Sequence, residues 1–293
     1  MPELPDITVY VERAQAKLQG QVLRRLKLLN PFLLRTALPP IGDIEGRRIV
    51  AVERLGKRVV LGFDGDLWLV IHLMIAGRLR WLAPGAKPPG RITLALFEFD
   101  SGTLALTEAG TTRRASLHLL AGRAALAAMD PGGIDVMNID LAAFAVRLAS
   151  ENHTVKRALT DPQLFSGIGN AYSDEILHRA KLSPLALTRS LPADVVQRLY
   201  EAARAVLAEW TARLRQEAGD WPEKVTAFHP QMAVHGRYGQ PCPVCGAPVQ
   251  RIVYADNETN YCARCQNGGK LLADRALSRL LKASFPRNLD ELG

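Results

Sequence analysis

Residues 234–265 read VHGRYGQPCPVCGAPVQRIVYADNETNYCARC and hold all four cysteines of the 293-residue chain, Cys242, Cys245, Cys262 and Cys265. Two C-x2-C knuckles sixteen residues apart supply four thiolates for tetrahedral zinc, and the gap suits a β-hairpin that folds one pair onto the other. The motif contains no fifth donor, so it implies one structural ion that holds a hairpin rather than activating water. With no cysteine left for crosslinks elsewhere, the chain is expected in a reducing, cytosolic compartment. Arg251, Arg264 and Lys270 flank the knuckles and suit either a phosphate contact or a solvated basic surface.

Upstream of this module the pattern turns helical. From Leu141 to about Ala218 the periodic segments are LAAFAVRLAS, TVKRALTD, AYSDEILHRAKL and PADVVQRLYEAARAVLAEWTARLRQEAG. Between the second and third, Gly167, Gly169 and Asn170 make a glycine turn between two helices, with Asp174 and Glu175 reinforcing the second helix's start. Two helices meeting at such a turn can dock on a phosphate backbone through the amides of the second helix, although plain hairpin packing gives the same pattern.

The first 120 residues are different. Ile7 to Leu18 repeats apolar residues at helical spacing and stops at Gly20. VLRRLKLL, RRIVAVERLG, KRVVLGFD, LWLVIHL, RITLALFEFD and TLALTEAG then read as short strands broken by Gly, Pro and Asp, which predicts six to eight strands in a sandwich or flattened barrel. MDPGGIDVMNID at 129–140 reads as a hinge. The expected order is a β-sandwich domain over 1–128, a hinge over 129–140, a helical domain over 141–225, a zinc finger over 232–270 and a helical tail over 271–293.

Lys and Arg outnumber Asp and Glu by 37 to 29, a net charge of +8, which favours a polyanionic partner such as nucleic acid. There is no run of eighteen apolar residues and no basic segment leading into an apolar one at the N-terminus, so neither a membrane span nor a signal peptide is expected. Nothing in the pattern requires an oligomer.

The N-terminus, MPELPDITVY, has two readings. Proline and acids suit the first turn of a helix. If Met1 is removed, however, Pro2 becomes a secondary amine that titrates near ~8 and can attack a carbon electrophile. Taken in order, PELP-D, the lysine of GKRVVL, IHLMIAGRLR, GIGNAYSDEIL and GRYGQPCPVCG…YCARCQ resemble the formamidopyrimidine-DNA glycosylase and endonuclease VIII family, nearly end to end.

That resemblance implies an α+β, multidomain protein: an N-terminal β-sandwich with a leading helix, a helix-two-turn-helix domain and a four-cysteine zinc-finger hairpin. It implies a bifunctional DNA glycosylase and AP lyase acting on damaged DNA, single- or double-stranded. Pro2 matches the nucleophile that attacks C1′, Glu3 the acid that assists sugar-ring opening, and Lys57 a lysine at a phosphate near the lesion. Asn170 matches the backbone-binding asparagine of the helical motif, with Lys156 as a basic helper upstream of it, while Arg113 and Arg114 stand in the lesion-side loop.

The chain also departs from that pattern. Asn257 stands where the zinc hairpin carries an arginine phosphate clamp. Ala115 follows Arg113 and Arg114 where an aromatic wedge is expected, Ile75 falls near the place of a wedge methionine, and Asp6 replaces a glutamate. These departures leave the lesion open and support the alternative of a catalytically weak binder of damaged DNA on the same fold; an RNA-binding zinc ribbon that uses the basic surface is a third reading.

Overall fold

The computed structural model describes residues 1–110, 112–226, 228–254, 257–272, 280 and 286–291. The chain divides into two compact units, Met1–Pro131 with Trp210–Thr226, and Gly132–Glu209 with Ala227–Gly293. Among the described residues no helix is long and apolar enough to cross a membrane.

In the first unit, α1 (Leu4–Leu18) opens on Glu3 as N-cap with Pro5 in its first turn, and buries Ile7, Tyr10, Val11, Ala14 and Leu18 along one stripe. After Gln19, the left-handed Gly20 (φ +84°) turns the chain, and its amide donates to the Ile49 carbonyl. Eight strands follow: β1 (Arg25–Leu28), β2 (Ile49–Leu55), β3 (Arg58–Phe63), β4 (Leu67–His72), β5 (Gly77–Leu82), β6 (Thr93–Phe99), β7 (Gly102–Glu108) and β8 (Ser116–Ala121). They form two antiparallel four-stranded sheets, in the orders β1-β6-β7-β5 and β2-β3-β4-β8.

One apolar cluster joins both sheets to α1 and includes Phe63, Leu69, Ile71, Leu79, Phe97, Leu104 and Leu106. The two-residue alternation of these side chains is what aims them inward from each sheet. On the other face of the second sheet, Val60, Trp68 and Val70 pack with Leu126 of the short helix α2 (Arg123–Ala127). Trp221 also belongs to the main core: it is 6% exposed, its indole Nε1–H donates to the Leu79 carbonyl, and its ring lies 5.9 Å from Tyr10 and 6.2 Å from Trp81. This packing accounts for Trp210–Thr226 clustering with the sandwich, although the helical pattern carries that stretch into the helical domain.

The second unit contains α3 (Leu141–Ala149), α4 (Val155–Thr160), α5 (Asn170–Arg179) and most of α6 (Ala193–Glu217), then the hairpin β9 (Gln250–Tyr254) and β10 (Asn257–Tyr261) and the short α7 (Ala263–Asn267). Asp140 caps α3 by accepting from Ala143 N–H at 2.8 Å, and Thr154 caps α4. Gly167 takes φ +83° in the turn before α5, a conformation that an L side chain resists. Asn170 is itself the first residue of α5, so Asp174 and Glu175 lie beyond its first turn rather than marking its start. The tail expected over 271–293 falls mostly on 273–279, 281–285 and 292–293, which lie outside the described residues.

Candidate functional site

The N-terminal constellation is built on the first turn of α1. Pro2, Glu3 and Asp6 are all buried, and the Glu3 amide donates to Asp6 Oδ2 at 2.8 Å. Burial lowers the pKa of the Met1 amine; Glu3 and Asp6 pull it up, while Arg78 and Lys57 push it further down. Burial also pushes the Asp6 carboxyl up to about 7, against the opposing hydrogen bond from Glu3. An amine and two carboxyls thus share a weakly hydrated corner with cations close enough to be felt. Asp6 borders a cavity of about 470 Å³, lined also by Val9, Leu214, Trp221, Glu223 and Lys224.

Arg78 braces this corner. Its Nε donates to the Val225 carbonyl at 2.6 Å, and its Nη1 to Gly77 and Ile75 carbonyls at 2.7 and 3.2 Å. It therefore ties the 221–225 segment at the cavity to the tight turn Leu73–Gly77. A Cβ on Gly77 would stand 2.2 Å from the Leu73 carbonyl oxygen, so that turn requires glycine.

Strand register gathers more cations at one end of the second sheet. Arg58 opposes His72 and His72 opposes Ser116, with Lys57 on the β2–β3 turn and exposed Arg113 and Arg114 just before β8. Burial, then Arg58, Lys57 and His118, depress His72 to about 4, so its imidazole is neutral at pH 7. Sequence reasoning missed His72. Its position at the end of the apolar run LWLVIH, opposite the arginine that follows Lys57, was the available signal. Arg113 Nη2 donates to the Arg91 carbonyl, and the Glu108 carboxylate accepts the amides of Arg114 and Ala115. Ala115 is 4% exposed and belongs to the core, so position 115 faces inward.

In the second unit the structure corrects the reading of Lys156. Its ammonium is not displayed for a phosphate: the residue is 8% exposed, bonds Asp174 Oδ1 at 2.5 Å and donates to the Asn170 carbonyl at 2.7 Å. Asp174 is fully buried, and its other oxygen meets His235 Nδ1 at 2.7 Å and the Asn260 amide at 3.2 Å. Burial raises the pKa of Glu175, which is opposed by the amides of His235, Val234 and Ala233 that its carboxyl accepts. Asn170 is half-buried at the start of α5, and its Nδ2 donates to the Glu258 carbonyl in β10. The asparagine turn, α5 and the hairpin thus share one hydrogen-bonded network. Asn257 is exposed at the start of β10, opposite Tyr254.

The four cysteine sulfurs lie within 4.8 Å of one another, with Cys245–Cys262 at 3.4 Å and Cys242–Cys265 at 3.9 Å. Tetrahedral zinc with Zn–S of ~2.3 Å sets sulfurs about 3.8 Å apart, so the donor set fits one zinc ion. His178 of α5, buried, reaches Cys242 Sγ with Nε2 at 3.2 Å. Sequence spacing did not connect this histidine with the knuckles.

Three family models match the chain: the formamidopyrimidine-DNA glycosylase N-terminal domain over residues 1–115, the formamidopyrimidine-DNA glycosylase H2TH domain over 130–216, and the zinc finger found in FPG and IleRS over 239–268. The formamidopyrimidine-DNA glycosylase of Thermus thermophilus is 35% identical over 283 residues, which is 92% of this chain and all of that protein. An uncharacterized formamidopyrimidine-DNA glycosylase-like protein of Mycobacterium tuberculosis is 42% identical over 164 residues, 56% of this chain and all of that protein. Among solved structures, the MutM (Fpg) protein of Thermus thermophilus superposes with a TM-score of 0.76 at 32% identity, over 90% of this chain and 98% of the other. Lactococcus lactis Fpg in complex with abasic-site DNA gives 0.81 at 22% identity, over 90% and 99%, a likeness of fold.

Proposed function

The chain belongs to the formamidopyrimidine-DNA glycosylase family, and from that premise we propose that it is a base-excision DNA glycosylase with AP lyase activity, acting through Pro2 once Met1 is removed. The observation that carries this reading is the buried N-terminal corner, where Pro2, Glu3 and Asp6 lie together and burial lowers the pKa of the Met1 amine. Once Met1 is removed, the Pro2 amine stands in this corner, and its unprotonated form is a nucleophile.

In this mechanism the Pro2 nitrogen bonds to C1′ of the damaged nucleotide as the C1′–base bond breaks, and the amine's proton passes to the departing base. Glu3 supplies a proton to O4′ as the sugar ring opens, which leaves an iminium at C1′. The iminium acidifies the C2′ proton. Its removal expels the 3′ phosphate, removal of the C4′ proton expels the 5′ phosphate, and water then releases the sugar fragment and restores the amine. Asp6, with a pKa of about 7, faces the adjacent cavity as a hydrogen-bond donor below neutrality and an acceptor above it.

Lys57, Arg113 and Arg114 are proposed to contact phosphates on the sandwich. Asn170 is proposed to do so on the helical unit, where Asn257 contributes a neutral side chain. Lys156 acts on DNA only through the asparagine turn that it holds. The partner is damaged DNA, and the zinc ion is structural.

Mass spectrometry should find Met1 absent, and borohydride reduction during incubation with abasic-site DNA should link protein to DNA. Equal trapping by native protein, a Pro2→Ala variant and a form retaining Met1 would exclude Pro2 as the nucleophile. DNA binding without any trapping would favour the binder that has lost catalysis.

A further inference from the structure

Taking a nucleotide out of a duplex leaves a gap whose unstacking costs a few kcal/mol unless a side chain fills it. Position 115 cannot do this, because Ala115 is small, buried and held by Glu108. The side chain must come from elsewhere on the sandwich, where Ile75 is 57% and Phe32 79% exposed, or the protein must act on DNA that is already open.

Phe32 meets the requirement. It is 79% exposed, yet its backbone is fixed: its amide donates to Asn30 Oδ1 at 3.0 Å in the short 3-10 turn Pro31–Leu33, and Leu33 is 1% exposed in the main core. The next residues run parallel to β8, with Leu34 bridging to Leu117 and the Arg35 amide donating to the Leu117 carbonyl. Because that pairing is parallel, Phe32 lies toward the start of β8, the end that presents Arg114, Ser116 and His72. From β3 through β4 and β8 to this segment is three strand spacings, about 14 Å at ~4.8 Å each. Burial, then Arg58 and Arg35, depress His118, which places the segment in the same positive field as the strand after Lys57.

A single exposed apolar residue is ordinary. A phenylalanine 79% exposed on a turn anchored by its own amide and by Leu33, toward the cationic start of β8, is not explained by packing. Resting on the DNA glycosylase reading above, we propose that Phe32 is a specificity-determining residue that inserts into the base stack of paired DNA at the lesion.

The test uses the full-length protein and a tetrahydrofuran abasic analogue, placed either in a fully paired duplex or in a bubble, with 2-aminopurine beside the site. Phe32→Ala should weaken binding to the paired duplex about tenfold, within the range for loss of one base–aromatic stack, and should change binding to the bubble less than about twofold. Phe32→Trp should restore paired binding and the 2-aminopurine signal. Unchanged paired binding in Phe32→Ala, or an equal loss on both DNAs, would overturn the proposal. Thermal melting of Phe32→Ala within about 2 °C of native protein should show that the variant is folded. If native protein itself fails to trap, the lyase reading fails, while the paired-against-bubble comparison still decides the role of Phe32.

Discussion

Replacing Lys156 by methionine separates two roles that a lysine near a DNA-binding turn can have. If the ammonium contacts phosphate, its loss lowers the slope of log K against log salt by about 0.9 and leaves the fold intact. The structure puts the ammonium instead on Asp174, which is fully buried, and on the Asn170 carbonyl. Removing one member of a buried pair costs ~3–5 kcal/mol because the remaining charge is stranded. Here His235 and the Asn260 amide still hold the other Asp174 oxygen, so the lower end of that range, about 3 kcal/mol, is expected. For a domain of roughly 150 residues this lowers Tm by about 6–12 °C.

Differential scanning calorimetry of Lys156→Met should show that drop, and Asp174→Asn in the same chain should recover part of it. The salt slope should stay at the native value, whereas Lys57→Met should lower the slope by about 0.9 and leave Tm within about 2 °C. A Lys156→Met protein that melts like native protein and has a shallower slope would refute the buried-pair argument and return Lys156 to the phosphate backbone.

Glu3→Gln should slow release of a damaged base more than cleavage of a ready-made abasic site, measured in single-turnover assays, because only the first requires the full proton-transfer sequence. Asp6 binds its proton more tightly folded, with a pKa of about 7, than unfolded, near ~3.9, so its contribution to stability is lost as pH rises from about 4 through 7. At about 1.36 kcal/mol per pH unit the ceiling is about 4 kcal/mol, and Asp6→Asn should flatten the dependence in urea titrations at about pH 5 and 8. Chelation or Cys262→Ser should release about one zinc per chain by atomic absorption and lower the melting of the helical unit, leaving the sandwich transition in place. Loss confined to hairpin signals, with α5 unaffected in hydrogen exchange, would contradict the bonds from Asn170 to Glu258 and from His178 to Cys242.

What the sequence reveals here depends on whether a residue's role is set by its neighbours along the chain. The two cysteine knuckles, the Pro-Glu-Asp start of α1 and the short apolar runs of β3 and β4 are local patterns, and local geometry alone converts them into a metal cage, a capped helix and buried strands. Lys156 escapes such a reading because its fate is decided by Asp174, on a different helix, and no periodicity announces that pairing. Trp221 follows a helical stretch in sequence but is claimed by a sandwich core whose strands lie far upstream. His178 and His72 acquire roles only when folding places a sulfur or an arginine opposite them. Phe32 is the sharpest case: proline and leucines around it read as an ordinary strand connection. Only the parallel pairing of Leu34 with Leu117 brings this turn toward the start of β8, near which Ala115 is buried. The scaffold is thus written in local chemistry. The part that would choose among DNA substrates comes from a long-range pairing, so substitution at Phe32 should alter substrate preference more readily than it alters the fold.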